Sequence, residues 1–453
     1  MHPKDTLAGI VPRLSGLGYA DAKQILGEIP AKSMRDESHM FWDLFNIMYN
    51  SENKQTDLTL WLESVTKCLI PTSCDPFIRA LFTHDSKTYL SLGQEISEFI
   101  LLITSTKFNK MTVQIPDFLS EKSFQFGPIK IKGEDIWNML ISKLDSMLKY
   151  NLSWILIFAI HYWYCSETDD IETCFKQFSL ISDKNLEVEE NNDPIYHLLR
   201  KYSNENISIV QICNILQPLD AYAFASIASV LFKEQIQQNI LNNLVNNAAA
   251  DLITNDLWEY SSSLYMSRGL NMEGNFVITK FCNPLIQMNE NEKRLVEDLK
   301  IPEDALYMAK AMKASYIALL YTSKDKLEKL STAIDLCFLA HNTATAYKLV
   351  FNEFLPLAIE LGVPIQEIAH WSQPFKSHPF DPTFADHLAV LDVISGLPYD
   401  PANISRILAN EWSTFAVRRE VAKIMLKNPV NAQFLQNVDA APKLEILSNL
   451  AQH

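Results

Sequence analysis

Leu299-Lys300-Ile301-Pro302-Glu303-Asp304-Ala305-Leu306-Tyr307-Met308-Ala309-Lys310-Ala311-Met312-Lys313-Ala314 is the stretch whose reading decides the fold class. It reads as the start of a helix. A proline at the first helical position gives up an N–H that has no intrahelical acceptor, which suits Pro302. Glu303 and Asp304 then set negative charge at the positive end of the helix dipole. Ala305, Met308, Ala309, Met312, Tyr316, Leu319 and Leu320 follow at helical spacing as one apolar face. None of these side chains is equipped for chemistry.

The same pattern recurs in both directions. Phe41, Leu44, Phe45 and Met48 mark a helix over 37–50, and Leu58, Leu62, Val65 and Leu69 mark one over 56–70 that Pro71 ends. Further helices are predicted over 86–106, 134–149 and 152–165. The next opens on a capping-box-like Ser166-x-x-Asp169 and carries Ile171, Cys174, Phe175 and Phe178 on one face. Beyond it the periodicity predicts helices over 195–203, 207–216, 219–232, 235–267, 275–288, 291–299, 303–322, 325–341 and 343–361, with short ones filling 384–451. Three segments interrupt the pattern: 107–133 with Pro116, Gly127 and Pro128, the acidic stretch 183–194, and 372–383 with Pro374, Pro379 and Pro382. On the order of twenty helices joined by short turns result. No fixed period appears, so the expected architecture is an all-α, irregular helical solenoid and not a regular repeat array.

Composition agrees. Only 11 of 453 residues are glycine, against an average usage of roughly 7%, and strand-rich or α/β folds need glycine in their turns and phosphate loops. The formal net charge of −15 disfavours nucleic acid as a principal ligand, because phosphate binding needs a basic footprint. The seven cysteines (Cys68, Cys74, Cys165, Cys174, Cys213, Cys282, Cys337) include no Cys-x-x-Cys pair and read as buried free thiols in a reducing compartment. Asn151, Asn206 and Asn403 match the glycosylation pattern, which is uninformative without secretion. Met1-His-Pro-Lys-Asp5 lacks the layout of a signal peptide, and the most apolar run, 152–165, falls short of the ~20 residues a membrane span needs. The expectation is a soluble intracellular protein.

The sequence contains no His-Glu-x-x-His zinc helix, no Gly-x-Ser-x-Gly elbow and no phosphate loop; Gly16-Leu-Gly18 reads as a turn. His161 and His197 sit among aromatic residues and read as buried, hydrogen-bonded structural histidines. His370, His378 and His387 lie near Asp381 at spacings that match no standard metal site. Glu187, Glu189, Glu190 and Asp193 read as a solvated linker. Catalytic, cofactor-binding and metal-binding residues are therefore all expected to be none. Trp154, Ile155, Phe158, Tyr162 and Trp163 form the densest apolar helix. They read as an internal solenoid helix, or as a partner interface, where tryptophan and tyrosine concentrate.

Several segments together resemble the nucleoporin 96 family. The run opened by Leu299-Lys-Ile-Pro302 with Ala309-Lys310-Ala311 is similar to a family segment. Leu152-Ser-Trp154-Ile-Leu-Ile-Phe-Ala159-Ile-His161-Tyr162-Trp163 resembles its histidine- and tryptophan-bearing helix. His197-Leu198-Leu199 with Tyr202-Ser203, Asp256-Leu257-Trp258-Glu259-Tyr260, and Phe41-Trp42-Asp-Leu44-Phe45 match further landmarks in the family's order, over roughly 40–360. The resemblance implies an ancestral coatomer element. On that plan 1–36 is a lead-in, 37–106 the outgoing trunk, 107–190 the crown, 191–372 the returning trunk and 373–453 the tail.

It further implies a structural, non-enzymatic subunit of the Y-shaped coat of the nuclear pore complex, at the nuclear envelope, supporting nucleocytoplasmic transport of protein and mRNA. The implied partners are a neighbouring helical Y-complex nucleoporin docked through the crown, an open β-propeller shared with the COPII coat, and other Y-complex subunits near the hub. In the family a β-rich segment ahead of the helices donates a blade to that propeller. Residues 1–36 show no three-strand alternation, so the chain is expected to start after the blade. The uncovered crown face is expected at Ile155 and Tyr162. The alternatives are a coatomer-type vesicle-coat subunit and, in a different class, a helical viral nucleocapsid protein binding RNA.

Overall fold

The computed structural model describes residues 7–427 except 33–35, 85–90, 107–114, 142–145, 147–148, 167–169, 183–191, 204–205, 364–370, 372–374, 376–384, 395 and 409–414. The described residues form 23 α-helices and one two-stranded hairpin. The chain divides into two compact units, Met1–Leu257 and Trp258–His453.

In the first unit the helix Asp36–Asn50 buries Phe41, Trp42, Leu44, Phe45 and Met48, the face its sequence announces. It packs against Tyr19–Lys32, Lys54–Leu69 and Pro194–Tyr202. Phe41 and Phe45 meet Phe224 edge-on at 5.2 and 5.1 Å, and the Trp42 Nε1–H donates to Asp220 Oδ1 at 2.9 Å across 178 residues of sequence. Phe224 and Asp220 belong to Pro218–Leu231, whose alanine-rich sequence is buried on nearly every side. Within this unit the chain therefore runs out and returns.

The structure departs from the sequence reading at several points. The 107–133 break holds the hairpin, Ser123–Phe126 paired antiparallel with Ile129–Lys132 in the register Phe124↔Ile131. Phe124, Phe126 and Ile131 turn inward while Ser123, Lys130 and Lys132 turn out. Phe124 lies 5.1 Å from Phe77 on the helix Pro76–Thr83, an element not predicted from sequence although Asp75-Pro76 is an N-cap followed by proline. The run 235–267 is two helices, Gln238–Thr254 and Trp258–Ser267, because Asp256 takes a left-handed backbone, φ 59°, between them. The helix after 166 starts at Ile171, where Asp170 and not Ser166 caps it, accepting from the Thr173 N–H at 2.9 Å. The described part of 134–149 is helical over Gly133–Leu140 and again at Ser146, with a turn at Ile141.

In the second unit successive helices pack as neighbours: Trp258–Ser267 with Asn271–Phe281, Asn271–Phe281 with Glu303–Ala318, and Glu303–Ala318 with Ser323–Leu339. Pro302 is the N-cap residue of Glu303–Ala318, one position earlier than read. The face is also different. Leu306, Ala309, Ala311, Ala314 and Ala318 are buried, whereas Met312, Tyr316, Leu319 and Leu320 are exposed. Small side chains let neighbouring helices approach closely, so the alanines win the interior and the larger apolar residues point out.

Lys310 is buried with them. Its Nζ donates to Glu292 Oε2 at 3.0 Å and to the Gln287 carbonyl at 3.1 Å, and both charged side chains have zero exposure. Glu292 also closes the capping box of Glu290–Glu297 with Asn289. The 343–361 helix is interrupted by a π-helical turn, Val350–Phe354. The 372–383 boundary apart from Phe375, and everything beyond 427, lie outside the described residues.

Candidate partner-binding surfaces

The aromatic helix is α-helical over Trp154–Ile160 and continues as a π-helical turn, His161–Cys165. All five residues read as a candidate partner surface, Trp154, Ile155, Phe158, Tyr162 and Trp163, are at most 5% exposed. The outward face expected at Ile155 and Tyr162 is absent. The reason is packing. The Phe158 ring lies 5.3 Å from both Phe175 and Phe178, and Trp154 lies 5.0 Å from Tyr196. Helices Ile171–Ser182 and Pro194–Tyr202 supply these partners, and each such aromatic pair adds roughly 0.5–1.5 kcal/mol beyond its burial.

Asp193 has a part in this that its acidic surroundings hide. Its Oδ2 accepts from Trp154 Nε1 at 2.7 Å, and its Oδ1 accepts from the Ile195 N–H at 2.8 Å. It caps the helix Pro194–Tyr202 and pins the aromatic helix, so it is not a solvated linker residue. Glu187, Glu189 and Glu190 lie outside the described residues.

His161 is buried as expected, but neither ring nitrogen has a hydrogen-bond partner among the described residues. Burial pushes its pKa down to about 4, so the imidazole is neutral near pH 7. His197 is buried beside Tyr196. His370, His378 and Asp381 lie outside the described residues. Among the described residues no three His, Cys, Asp or Glu side chains gather as a metal site would require, and no helix is long and apolar enough to cross a membrane. Five cysteines are buried, Cys74 is half-buried and Cys68 is exposed, the exception to the expected burial.

Uncovered apolar surface occurs in the second unit. On Glu303–Ala318 and the turn after it, Tyr316 is 61% exposed, Leu319 62% and Leu320 82%; on Asn271–Phe281, Met272 is 84% and Phe276 68%. These two helices pack against each other. Lys313 Nζ donates to the Lys280 and Cys282 carbonyls at 2.7 Å each, while Lys310 reaches Gln287. Large exposed apolar surface of this kind marks protein interaction. Sequence periodicity places Tyr316, Leu319 and Leu320 on one apolar face with Ala305 and Ala309, and does not single out Met272 or Phe276.

No protein-family model matches this chain, and no curated protein matches it.

Proposed function

We propose that this protein is a helical scaffold subunit of the Y-shaped coat of the nuclear pore complex, binding other subunits through helix faces. The observation that carries the interaction role is the outward stripe Met312, Tyr316, Leu319 and Leu320. A helix that turns alanines inward and large apolar side chains outward loses burial free energy of roughly 1.5–3 kcal/mol for each large side chain, unless a partner covers it. The same segment carries the resemblance to the nucleoporin 96 family, which supports the coat assignment and the ancestral coatomer arrangement of trunk, crown and tail. The out-and-return path within the first unit, tied by Trp42 and Asp220, is compatible with a trunk that folds back.

The crown role is revised accordingly: Trp154, Phe158 and Trp163 support the fold from inside, and docking is assigned to the second unit. The Tyr316→Glu/Leu320→Glu variant tests this. Both positions face solvent, so circular dichroism and melting should change little, while co-purification of the neighbouring helical subunit should fall at least tenfold. A folded double variant that retains every partner overturns the assignment of docking to this stripe.

A further inference from the structure

A different surface lies in the first unit, and the argument for it is independent of the scaffold reading. Two hollows flank the helix Lys54–Leu69. One, about 680 Å³, lies against Asp36–Asn50 and is lined by Asp43, Ile47, Asp57, Leu60, Trp61 and Cys68 among others. The other, about 500 Å³, is lined by Leu69, Ile155, Asp193, Ile195, Leu216 and Asp220 among others. They meet at Met40 and Val65, which line both. The result is one trough along the helix, open enough that Leu60 is 58% exposed and Leu69 40%.

Its chemistry is one-sided. The floor is largely apolar, and the acidic residues among the described lining are Asp43, Asp57, Asp193 and the buried Asp220. Among the described residues neither lining contains a lysine or arginine, and the one basic group among them is His39, whose Nε2 lies 3.0 Å from Asp43 Oδ2. Asp193 and Asp220 accept from the indoles of Trp154 and Trp42, and Asp57 accepts from the Ser51 hydroxyl. The indole and hydroxyl on Asp193 and Asp57 are neutral donors, and Asp220 is fully buried. From Asp57 to Leu69 the trough follows the helix for about 18 Å, the length of roughly three helical turns.

An apolar floor of that length, rimmed by the half-buried Asp43, Asp57 and Asp193, is complementary to one kind of occupant. We infer that the trough binds a basic amphipathic helix of a partner protein, its aliphatic anchors at i, i+3 or i+4 and i+7 seated on Met40, Val65 and Leu69 and its lysines or arginines facing Asp43 and Asp57. Helix-in-groove recognition reads an apolar stripe in this way, and the opposite charges set the orientation and speed the encounter.

The probe is a synthetic leucine–lysine peptide with leucines at helical spacing, compared with a scrambled peptide of the same composition and a leucine–glutamate peptide. Fluorescence anisotropy should give a dissociation constant of ~1–10 µM for the first, at least tenfold weaker binding for the scrambled peptide and none for the acidic one. Leu60→Ser should weaken the first about tenfold, whereas Leu285→Ser, exposed in the second unit, should not.

A second readout uses the unaltered protein. Cys68 lines the trough and is exposed, so the bound peptide should slow its alkylation by maleimide at least fivefold. Equal binding of the scrambled peptide, or tight binding with Cys68 alkylated at its free rate, overturns the inference.

Discussion

Replacing Lys310 by methionine tests the core of the second unit. The Nζ donates to Glu292 Oε2 and the Gln287 carbonyl, and neither charged side chain is exposed. Methionine fills a similar volume and leaves the Glu292 carboxylate in the interior without its counter-charge. Breaking one side of a buried ion pair costs about 3–5 kcal/mol. For a unit of this size each kilocalorie moves the midpoint by ~2–4 °C, so melting should fall by roughly 10 °C. Urea unfolding followed at 222 nm measures the free energy directly. Lys313→Met is the internal control: that Nζ donates only to two backbone carbonyls, at 2.7 Å each, and its loss should cost about 1–3 kcal/mol. The Lys310→Met/Glu292→Gln double variant should cost less than the sum of the two singles, because no uncompensated charge remains. A Lys310→Met protein within 1 kcal/mol of the parent would refute the view that this pair holds Glu303–Ala318 against Glu290–Glu297.

Three further outcomes follow from the same packing. Ile155→Glu or Tyr162→Glu should unfold the first unit, seen as lost near-ultraviolet dichroism, since both positions are buried. Gly133→Ala should destabilise by ~1–3 kcal/mol in the same urea assay, because a Cβ there would lie 2.0 Å from the Leu119 carbonyl oxygen. Burial holds the pKa of His84 and of His161 down to about 4, against 6.5 ordinarily. The unfolded chain therefore binds protons first as pH falls. Stability should be full above pH 6.5 and drop towards pH 4 by up to about 3 kcal/mol for each histidine, and His161→Phe should flatten that slope.

The sequence was readable where side-chain size and periodicity pointed the same way. Phe41, Leu44, Phe45 and Met48 are large, helically spaced and buried. It misled where the two diverged. Along 305–320 the periodicity groups Ala305, Met308, Ala309, Met312, Tyr316, Leu319 and Leu320 on one face, but helix contact buries Ala309 with Ala311, Ala314 and Ala318 and leaves Tyr316 and Leu320 in solvent. The hairpin is legible in principle: Phe124-Gln-Phe126 and Ile129-Lys-Ile131 each alternate, but Gly127-Pro128 between them equally marks a break between helices. Asp193 could not be assigned from sequence, because its indole partner lies 39 residues away. Contacts at such separation, like Trp42 with Asp220, leave no local signature.

The most direct test of the scaffold assignment is affinity purification of the tagged chain from nuclear envelopes under mild conditions, with quantitative identification of what remains bound. The account predicts helical Y-complex nucleoporins in near-equal amount to the chain, lost with Tyr316→Glu/Leu320→Glu. Vesicle-coat subunits in their place, or co-purifying RNA with no nucleoporin, would contradict it.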